Sequence, residues 1–423
     1  MTEFVLPYGK TQINLQIPSI FKTDLLTPST FPTLAEPQQT IQTTLNNPIG
    51  RRKLADVTNI GSVGIAINDK TRPVPQPNPI NIFLDCLGSI GISKEKISIF
   101  IGSGTHKPME DSELSQILDP EIINHYRIIV HDCDRSPMVD LGETAHRTPI
   151  QINAEYYNCD LKMTVGNIEP HHFMGFSGGV KTAVIGLASP DTITANHSML
   201  THPQAKSGVF YINPMRQDIE EMGRKVRIDY SLGSILNEQK QITNVFFGEP
   251  VKVMDAAIPI VRDIFGVCVN KPYDLVIASP GGAPKDINLY QAQKGLTHAA
   301  RITRNGGWVI LTAACPEGSG SPSYETFITA AKSHKEVLDQ FDMGYFQVGP
   351  HKAFQISRDA VRVNIVLISD IAAEKVKQWL LTPSQPQLIQ QLINWIAARL
   401  PSNARVAVLP ASTRTMTEVK HHG

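Results

Sequence analysis

The chain has 423 residues, more than a single hydrophobic core usually organises, so two domains are expected. Its 39 basic and 39 acidic side chains cancel, which argues against a nucleic-acid or anionic-membrane partner. There is no apolar run long enough to cross a bilayer and no secretory signal, so we expect a cytoplasmic protein that acts on a small molecule. The 5 cysteines are scattered without a Cys-x-x-Cys pair, which indicates free, buried thiols.

The first 45 or so residues are rich in Pro, Thr and Gln and are expected to form an extended arm. Beyond them, β-branched runs that end in glycine or polar residues alternate with helical stretches, a pattern typical of parallel sheets. Residues 420–423 are expected to be solvated. Predicted strands cover residues 63–68, 97–102, 126–130, 161–165, 274–279, 307–314, 361–369 and 405–409, and predicted helices cover 112–118, 217–225, 251–264, 323–331 and 385–398.

This alternation predicts an α/β protein with two α/β domains and mostly parallel sheets. A break near residues 265–273 places the domains at 1–268 and 269–423. Ligands of such folds bind beyond the carboxyl ends of the strands. We therefore expect the active site in the cleft between the two domains.

Polar motifs follow the first two predicted strands. Asp69-Lys-Thr71-Arg72-Pro offers a guanidinium, whose fork matches a carboxylate or a phosphate, although the segment alone is equally compatible with a surface ion pair. Ser103-Gly-Thr-His106 places an imidazole on a glycine turn, where it can carry a proton near neutral pH. Both motifs are candidates for a ligand site.

The segment after the fourth predicted strand is rich in glycine and histidine. Gly175-Phe-Ser177-Gly178-Gly179-Val-Lys181 approaches a phosphate-binding loop, but a valine precedes the lysine where that pattern needs glycine. An ordinary nucleotide triphosphatase is therefore disfavoured. The plain alternative is a glycine turn that leads into a helix and leaves Lys181 in solvent.

Several histidines and one helical motif remain. His171 and His172 are adjacent on an extended segment, so their side chains should point apart and only one should face a site. His197 and His202 could bind nickel, zinc or copper, although single histidines are more often structural. Tyr290-Gln291-x-x-Lys294 brings an amide and an ammonium to one helix face, which alone would indicate a solvated face.

Taken together, these motifs resemble the nickel-pincer lactate racemase family of 2-hydroxyacid racemases and epimerases. The resemblance covers most of the chain. It rests on Asp-Lys-Thr-Arg-Pro at 69–73, Gly-Thr-His at 104–106, His171 with the glycine-rich segment to Lys181, Asn-His at 196–197, Tyr-Gln-x-x-Lys at 290–294 and Gly-Pro-His-Lys-Ala at 349–353.

The resemblance implies a pyridinium mononucleotide cofactor that carries nickel and is attached to a lysine. It implies Lys181 as the attachment point, His197 as the protein ligand to nickel, and His106 and His171 as the proton-transfer residues. The resemblance also implies that the cofactor is contacted by Asp69, Thr71, Ser177, Gly178 and Gly179. It implies that the substrate is contacted by Arg72, Tyr290, Gln291 and Lys294. Asp69 is further expected to orient Arg72.

The reaction implied by this resemblance is reversible hydride transfer from Cα of a 2-hydroxy acid through a 2-keto acid, with histidine as general acid and base. Its expected partners are the substrate and the enzymes that assemble the cofactor. Which 2-hydroxy acid is used does not follow from the residues.

Two other classes of function stay open. One is a zinc- or nickel-dependent hydrolase or lyase that uses His171, His197 and His202. The other is a non-catalytic module that binds a nucleotide or phosphate.

Overall fold

A computed structural model describes residues 1–420; residues 421–423, part of the predicted solvated end, lie outside the described range. The contacts divide the chain into two compact units. One is Thr30–Asp263, and the other combines Met1–Ser29 with the chain from Ile264 onward. Each unit contains a six-stranded sheet with helices, which confirms the predicted α/β class.

The strands are numbered along the chain. They are β1 (Thr2–Tyr8), β2 (Thr11–Ile17), β3 (Lys22–Leu25), β4 (Val63–Asn68), β5 (Ile97–Gly102), β6 (Arg127–Val130), β7 (Met138–Glu143), β8 (Pro149–Asn153), β9 (Leu161–Asn167), β10 (Pro170–His171), β11 (Gly175–Phe176), β12 (Tyr230–Leu236), β13 (Ile242–Gly248), β14 (Gly266–Val269), β15 (Tyr273–Ala278), β16 (Thr303–Thr312), β17 (Asn364–Ile368), β18 (Thr382–Ser384), β19 (Arg405–Leu409) and β20 (Met416–Val419).

The α-helices are numbered in the same way. They are α1 (Pro37–Leu45), α2 (Pro79–Ser89), α3 (Pro120–His125), α4 (Ala154–Tyr157), α5 (Lys181–Val184), α6 (Pro190–Ser198), α7 (Pro214–Val226), α8 (Pro250–Phe265), α9 (Leu289–Arg301), α10 (Pro322–Ala330), α11 (His334–Asp342), α12 (His351–Ala360), α13 (Ala373–Gln378) and α14 (Ile389–Ala397).

The sheet of the Thr30–Asp263 unit has the strand order β13-β12-β9-β4-β5-β6. All neighbours are parallel except β12 and β13, which form an antiparallel edge. The central strands are apolar on both faces because helices cover both sides of such a sheet, and Ile65, Ile99 and Met163 are fully buried. The carboxyl ends of β4, β5 and β9 therefore meet at one edge of this sheet.

The sheet of the other unit has the order β18-β17-β16-β15-β19-β3, and every neighbouring pair is parallel. A separate antiparallel hairpin is formed by β1 and β2. Its buried residues Leu6 and Leu15 pack in one core cluster with Ile277 and Val406 of the sheet. The hairpin thus forms part of this unit's core.

The prediction for the first residues was wrong. They were assigned to a domain 1–268 as an extended arm, yet Met1–Ser29 forms a hairpin and an edge strand of the other unit. The physical reason is the pairing of β3 with β19, which begins with Lys22 beside Arg405. Sequence composition cannot reveal a strand partner so far along the chain.

Other elements also differ from the prediction. The helix expected at 112–118 is a short 3₁₀ segment, Asp111–Gln116, with a capping box at its start. All five cysteines are free, as expected, but Cys268 is exposed and only Cys159 and Cys315 are buried. Within residues 1–420, no helix combines the length and apolar character that a membrane crossing requires.

Candidate active site

Asp69 and His106 form a hydrogen-bonded pair at the carboxyl edge of the first sheet. Asp69 follows β4 and is buried, and its Oδ2 lies 2.8 Å from Nδ1 of His106, which follows β5. Burial alone would raise the pKa of Asp69, but hydrogen bonds from His106 and Thr71 outweigh it and hold the pKa below its usual value. The carboxylate therefore fixes the proton of His106 on Nδ1 and leaves Nε2 as the basic nitrogen.

The environment of Arg72 differs from the prediction that Asp69 orients it. Thr71 donates to Asp69 Oδ1 from its amide at 3.1 Å and from its hydroxyl at 2.5 Å. The Arg72 guanidinium lies instead 3.7 Å from the Glu169 carboxylate, and both side chains are partly exposed. Asp69 thus acts on Thr71 and His106, while Glu169 is the ion-pair partner of Arg72.

Ser177 organises the glycine-rich loop that follows β9. Its hydroxyl lies 2.9 Å from the Asn167 carbonyl oxygen and accepts from the Glu169 amide at 3.1 Å. Its own amide donates to the Glu169 carbonyl at 2.9 Å. These bonds satisfy a buried hydroxyl and give it a structural task in addition to any cofactor contact.

Gly178 and Gly179 adopt left-handed backbone conformations, with φ of +79° and +63°. A Cβ on Gly178 would lie 2.8 Å from Ile168 Cγ1, and one on Gly179 would lie 3.0 Å from Arg216 Nη2. Glycine is thus required at both positions by conformation and by space. These residues place the loop backbone directly before Lys181.

Arg216, which the sequence analysis did not single out, holds this loop from the first turn of α7. It is fully buried, and it donates to the Phe176 carbonyl at 2.9 Å and to the Gly178 carbonyl at 3.2 Å. Its charge is paired with Glu220 at 2.6 Å. The predicted helix began only at residue 217, although Asn213-Pro214 is a helix-start signal that would have placed Arg216 and Glu220 one turn apart on the same helix. The carbonyls that Arg216 binds could not be predicted in this way.

Asn213 provides a second anchor from the same helix. Its side chain accepts from the Arg216 amide and caps α7, while its Nδ2 donates to the Phe173 carbonyl at 2.8 Å. The start of α7 therefore bonds with the carbonyls of Phe173, Phe176 and Gly178.

Lys181 is the first residue of α5 and is partly buried. Burial is the main cause that lowers its pKa to about 7, and the positive charges of Arg72 and Arg216 lower it further. A large fraction of the amine is then neutral near pH 7. A neutral primary amine is a nucleophile that can form a covalent bond with an acyl-type carbon.

His197 lies on α6 and is partly buried. Its Nδ1 lies 2.8 Å from the Ile193 carbonyl, so Nδ1 carries the proton and Nε2 is the nitrogen with a lone pair. Burial and the charge of Lys181 lower its pKa to about 4, so the ring is neutral at pH 7. This is the state in which an imidazole binds a transition metal.

His171 and His172 do not point apart as predicted. Their rings stack with centroids 4.7 Å apart, because β10 ends at His171 and His172 already lies in the turn to β11. The amide of Met174 donates to His171 Nδ1 at 3.2 Å, so the neutral ring carries its proton on Nε2. His106 and His171 are therefore fixed in opposite tautomers.

The histidines of the alternative hydrolase do not form a metal-binding group. His202 is exposed and its Nδ1 accepts from the Gln204 amide at 3.1 Å. Across residues 1–420, no three His, Cys, Asp or Glu side chains are arranged to hold a metal ion. A single imidazole ligand, His197, would need further ligands from a cofactor.

The predicted helix face of the other unit is present on α9. Lys294 Nζ donates to Gln291 Oε1 at 2.8 Å, as expected for residues three apart on a helix. Asn288 caps the helix by accepting from the Gln291 amide at 3.0 Å. Tyr290 is partly buried on the same helix, and burial raises its pKa.

A second lysine, Lys352, lies beside this face. It is buried on α12, donates to Gln293 at 3.0 Å and lies 4.6 Å from the ring centre of Tyr290. Burial, with a smaller contribution from Lys294, lowers its pKa well below the usual value. In the sequence, Lys352 stands out only as part of the Gly-Pro-His-Lys-Ala motif at 349–353, and this pattern does not indicate that its side chain is buried.

The fold is a two-unit α/β structure, and Lys181, with its lowered pKa, lies in the Thr30–Asp263 unit together with His106, His171 and His197. Residues 8–208 match the family described as "Lactate racemase N-terminal domain", and residues 268–415 match "Lactate racemase C-terminal domain". The chain belongs to the lactate racemase family, and its class of enzyme is an isomerase, specifically a racemase.

Two curated relatives extend this match. A lactate racemase of Lactiplantibacillus plantarum is 33% identical over 350 residues, which cover 80% of this chain and 81% of the relative. A lactate racemase of Thermoanaerobacterium thermosaccharolyticum is 27% identical over 431 residues, covering 99% of this chain and all of the relative.

Solved structures agree with the fold. The lactate racemase apoprotein from T. thermosaccharolyticum has a TM-score of 0.90 at 26% identity and covers 99% of this chain and 100% of its own. A Thermotoga maritima protein has a TM-score of 0.66 at 16% identity, covers 94% of this chain and 100% of its own, and supports the fold alone.

Proposed function

We propose that this protein racemises or epimerises a 2-hydroxy acid, with lactate as the first candidate substrate, by using a nickel-pincer nucleotide attached to Lys181. The observation that carries the proposal is the lowered pKa of the Lys181 amine, which directly follows a glycine-rich loop whose carbonyls are bound by buried Arg216. Two curated relatives named lactate racemase support the reaction class and the substrate.

The donor set of the chain fits such a cofactor. The Lys181 amine, with a pKa of about 7, can form the covalent attachment. His197 is neutral and carries its proton on Nδ1, so the lone pair of Nε2 can bind the metal. We propose that Asp69, Thr71, Ser177, Gly178 and Gly179 lie around the cofactor. When bound, the nickel-pincer group would supply a reversible acceptor for the Cα hydrogen and its electron pair.

The chain's own part of the proposed chemistry is proton transfer. His106, held by Asp69, presents a basic Nε2 that can take the substrate hydroxyl proton, and His171, when both of its ring nitrogens carry a proton, can give its Nε2 proton to the substrate oxygen. The two imidazoles exchange roles when the opposite enantiomer reacts. Loss of the hydroxyl proton together with the Cα hydrogen and its electron pair gives a neutral keto group, so no dianionic carbanion forms.

The substrate carboxylate needs fixed positive groups. We propose Arg72 and Lys294 for this contact, assisted by Gln291 and Tyr290, because a charge-assisted hydrogen bond is both strong and directional. Gln291 and Lys294 are already joined at 2.8 Å, and Asn288 fixes their helix turn. Such anchoring would keep the planar 2-keto acid in place between the two hydride transfers.

The test is to make the protein together with cofactor-assembly enzymes and to measure its intact mass and its racemisation of L-lactate and other 2-hydroxy acids. We expect a discrete added mass that peptide mapping assigns to Lys181, and turnover that Lys181→Met abolishes. Lys94→Met, a change at an exposed lysine, is the control and should keep both. An unmodified but active protein, or a Lys181→Met variant with full turnover, would refute the proposal.

A further inference from the structure

A cavity lies at the edge of the Thr30–Asp263 sheet opposite to the carboxyl ends of β4, β5 and β9. It has a volume of about 720 Å³, and its lining includes Leu161 and Tyr230, the first residues of β9 and β12. The candidate active-site motifs follow the other ends of β4 and β9. A strand of seven residues spans roughly 20 Å, so the cavity is separate from those motifs.

Two arginines on the lining, Arg51 and Arg52, are exposed and carry positive charge. Within residues 1–420, neither Arg51 nor Arg52 takes part in an ion pair. Arg51 Nε donates to the backbone carbonyl of Asp229 at 3.1 Å. An arginine fork without a protein carboxylate is suited to a phosphate group.

Tyr230 brings the two arginines to the same place. Its hydroxyl donates to the Arg52 carbonyl at 2.8 Å. Burial raises the pKa of Tyr230, and the nearby charges of Arg52 and Arg51 oppose this rise. Both guanidinium groups thus lie close to one phenol on the cavity wall.

The lining also contains two carboxylates, each with one oxygen already occupied. Asp160 Oδ2 accepts from the amides of Gly61 and Ser62 at 2.9 Å, and Asp229 Oδ2 accepts from the Lys162 amide at 2.9 Å. Within residues 1–420, no hydrogen bond reaches Oδ1 of Asp160 or Asp229. These oxygens are acceptors for hydroxyl groups, and they disfavour a ligand that is anionic throughout.

We propose that this cavity binds a small phosphate ester that carries hydroxyl groups, such as a sugar phosphate. Arg51 and Arg52 bind the phosphate, and Asp160 and Asp229 accept hydrogen bonds from the hydroxyls. The combination of two unpaired guanidinium groups with two partly occupied carboxylates distinguishes this ligand from a simple anion. The inference concerns a separate site and does not depend on the proposed function.

The experiment is calorimetric titration of the full chain with ribose 5-phosphate, with inorganic phosphate and ribose as separate probes. We expect saturable millimolar or tighter binding of the ester, and weaker binding of each of the other two probes. Arg51→Gln/Arg52→Gln should weaken ester binding at least about tenfold, since two charge-assisted contacts are lost. Arg135→Gln/Arg224→Gln, which removes two exposed charges elsewhere in this unit, should leave it unchanged.

A third variant tests the carboxylates. Asp229→Asn should weaken binding of ribose 5-phosphate but not of inorganic phosphate, because the new side chain keeps its oxygen on the Lys162 amide and presents in place of Oδ1 an NH₂ group, which cannot accept from a hydroxyl. Thermal unfolding checks that each variant folds, and Arg52→Gln alone replaces the double variant if that variant has no unfolding transition. Equal ester binding by the arginine variant and its control, no saturable ester binding at millimolar concentration, or equal affinity for ester and inorganic phosphate overturns the proposal.

Discussion

The glycine loop before Lys181 and the Tyr290–Lys294 face of α9 hold their functional groups in different ways. The loop depends on a distant clamp, in which buried Arg216 binds carbonyls 38 and 40 residues earlier in the chain. The α9 face depends on its own helix, where Gln291 and Lys294 meet because they are three residues apart. The loop is therefore sensitive to changes far from it, whereas the helix face is locally determined.

This difference has a chemical side. The clamp places a buried guanidinium near Lys181, and that charge contributes to the low pKa of the lysine. The α9 face presents an amide and an ammonium group suited to binding. Long-range packing therefore positions the residues around Lys181, whereas local helix geometry positions Gln291 and Lys294.

The largest loss of activity should come from replacing the imidazoles of His106 and His171. His106→Gln or His171→Gln should each lower kcat by roughly 10²- to 10⁴-fold, the usual contribution of a general acid or base. The loss should be equal in both directions of racemisation, since each turnover uses both groups. Steady-state rates with each lactate enantiomer check this.

His202→Gln is the matched control because His202 is exposed and bonds only locally. It should retain full activity. Loss of racemisation in this control, or full racemisation in both His106→Gln and His171→Gln, would contradict the proposed roles of the two imidazoles.

The next effect concerns the basicity of Lys181. Its folded-state pKa of about 7 lies below the ordinary 10.5, so the amine is protonated and unreactive below pH 7 and reactive above it. Brief acetylation of the cofactor-free protein across a pH series, followed by peptide mass mapping, should show a midpoint near pH 7. Lys107 is the comparison, because its contact with Glu110 raises its pKa. Parallel labelling curves for the two lysines would contradict the expectation.

Removing the Arg216 side chain, which binds the loop carbonyls, should lower the free energy of unfolding. Arg216→Met removes one partner of a fully buried ion pair and should destabilise the unit by roughly 3–5 kcal/mol. It should also raise the pKa of Lys181, because a nearby positive charge is removed. Urea unfolding and the acetylation midpoint measure the two effects.

The double variant Arg216→Met/Glu220→Leu should recover part of the lost stability, because no buried carboxylate is left without its partner. A loss below about 1 kcal/mol in Arg216→Met, the range of an exposed pair, would mean that the clamp is unimportant.

The smallest effect separates backbone conformation from crowding. Gly142 and Gly178 share φ of +79°, but a Cβ would meet no atom within 4 Å at Gly142 and would crowd Ile168 at Gly178. Gly142→Ala should cost about 1–2 kcal/mol of unfolding free energy from the left-handed conformation alone. Gly178→Ala should cost a further 1–3 kcal/mol, roughly, from overpacking. If urea unfolding gives the same loss of unfolding free energy for both variants, the loop around Gly178 accommodates the added methyl group, and the expected overpacking is absent.

The sequence predicted β4 and β5 with their observed limits, because a buried parallel strand is a continuous β-branched run that ends where polar residues begin. It also predicted the Gln291 and Lys294 contact, which needs only helix geometry. These features depend on neighbours in the chain, and local pattern is sufficient to predict them.

The remaining features depend on distant contacts. The Arg216 clamp, the ion pair of Arg72 with Glu169 and the burial of Lys352 each require the tertiary fold. The stacking of His171 on His172 depends on a turn between two very short strands, which has little signal in the sequence. The family resemblance supplied candidate roles for these regions, but not the contacts that hold them.

The placement of Met1–Ser29 has a consequence for how the polypeptide is made. The Thr30–Asp263 unit is an insertion within the other one, and the amide of Ser29 bonds with the carbonyl of Ile264 at 2.9 Å across the two junctions. During synthesis β3 cannot pair until β19, which begins at Arg405, has been made. The inserted unit can already be folded by then. Because the two junctions touch, a gene that joins residue 29 to residue 264 through a short linker is a direct route to producing the outer unit alone.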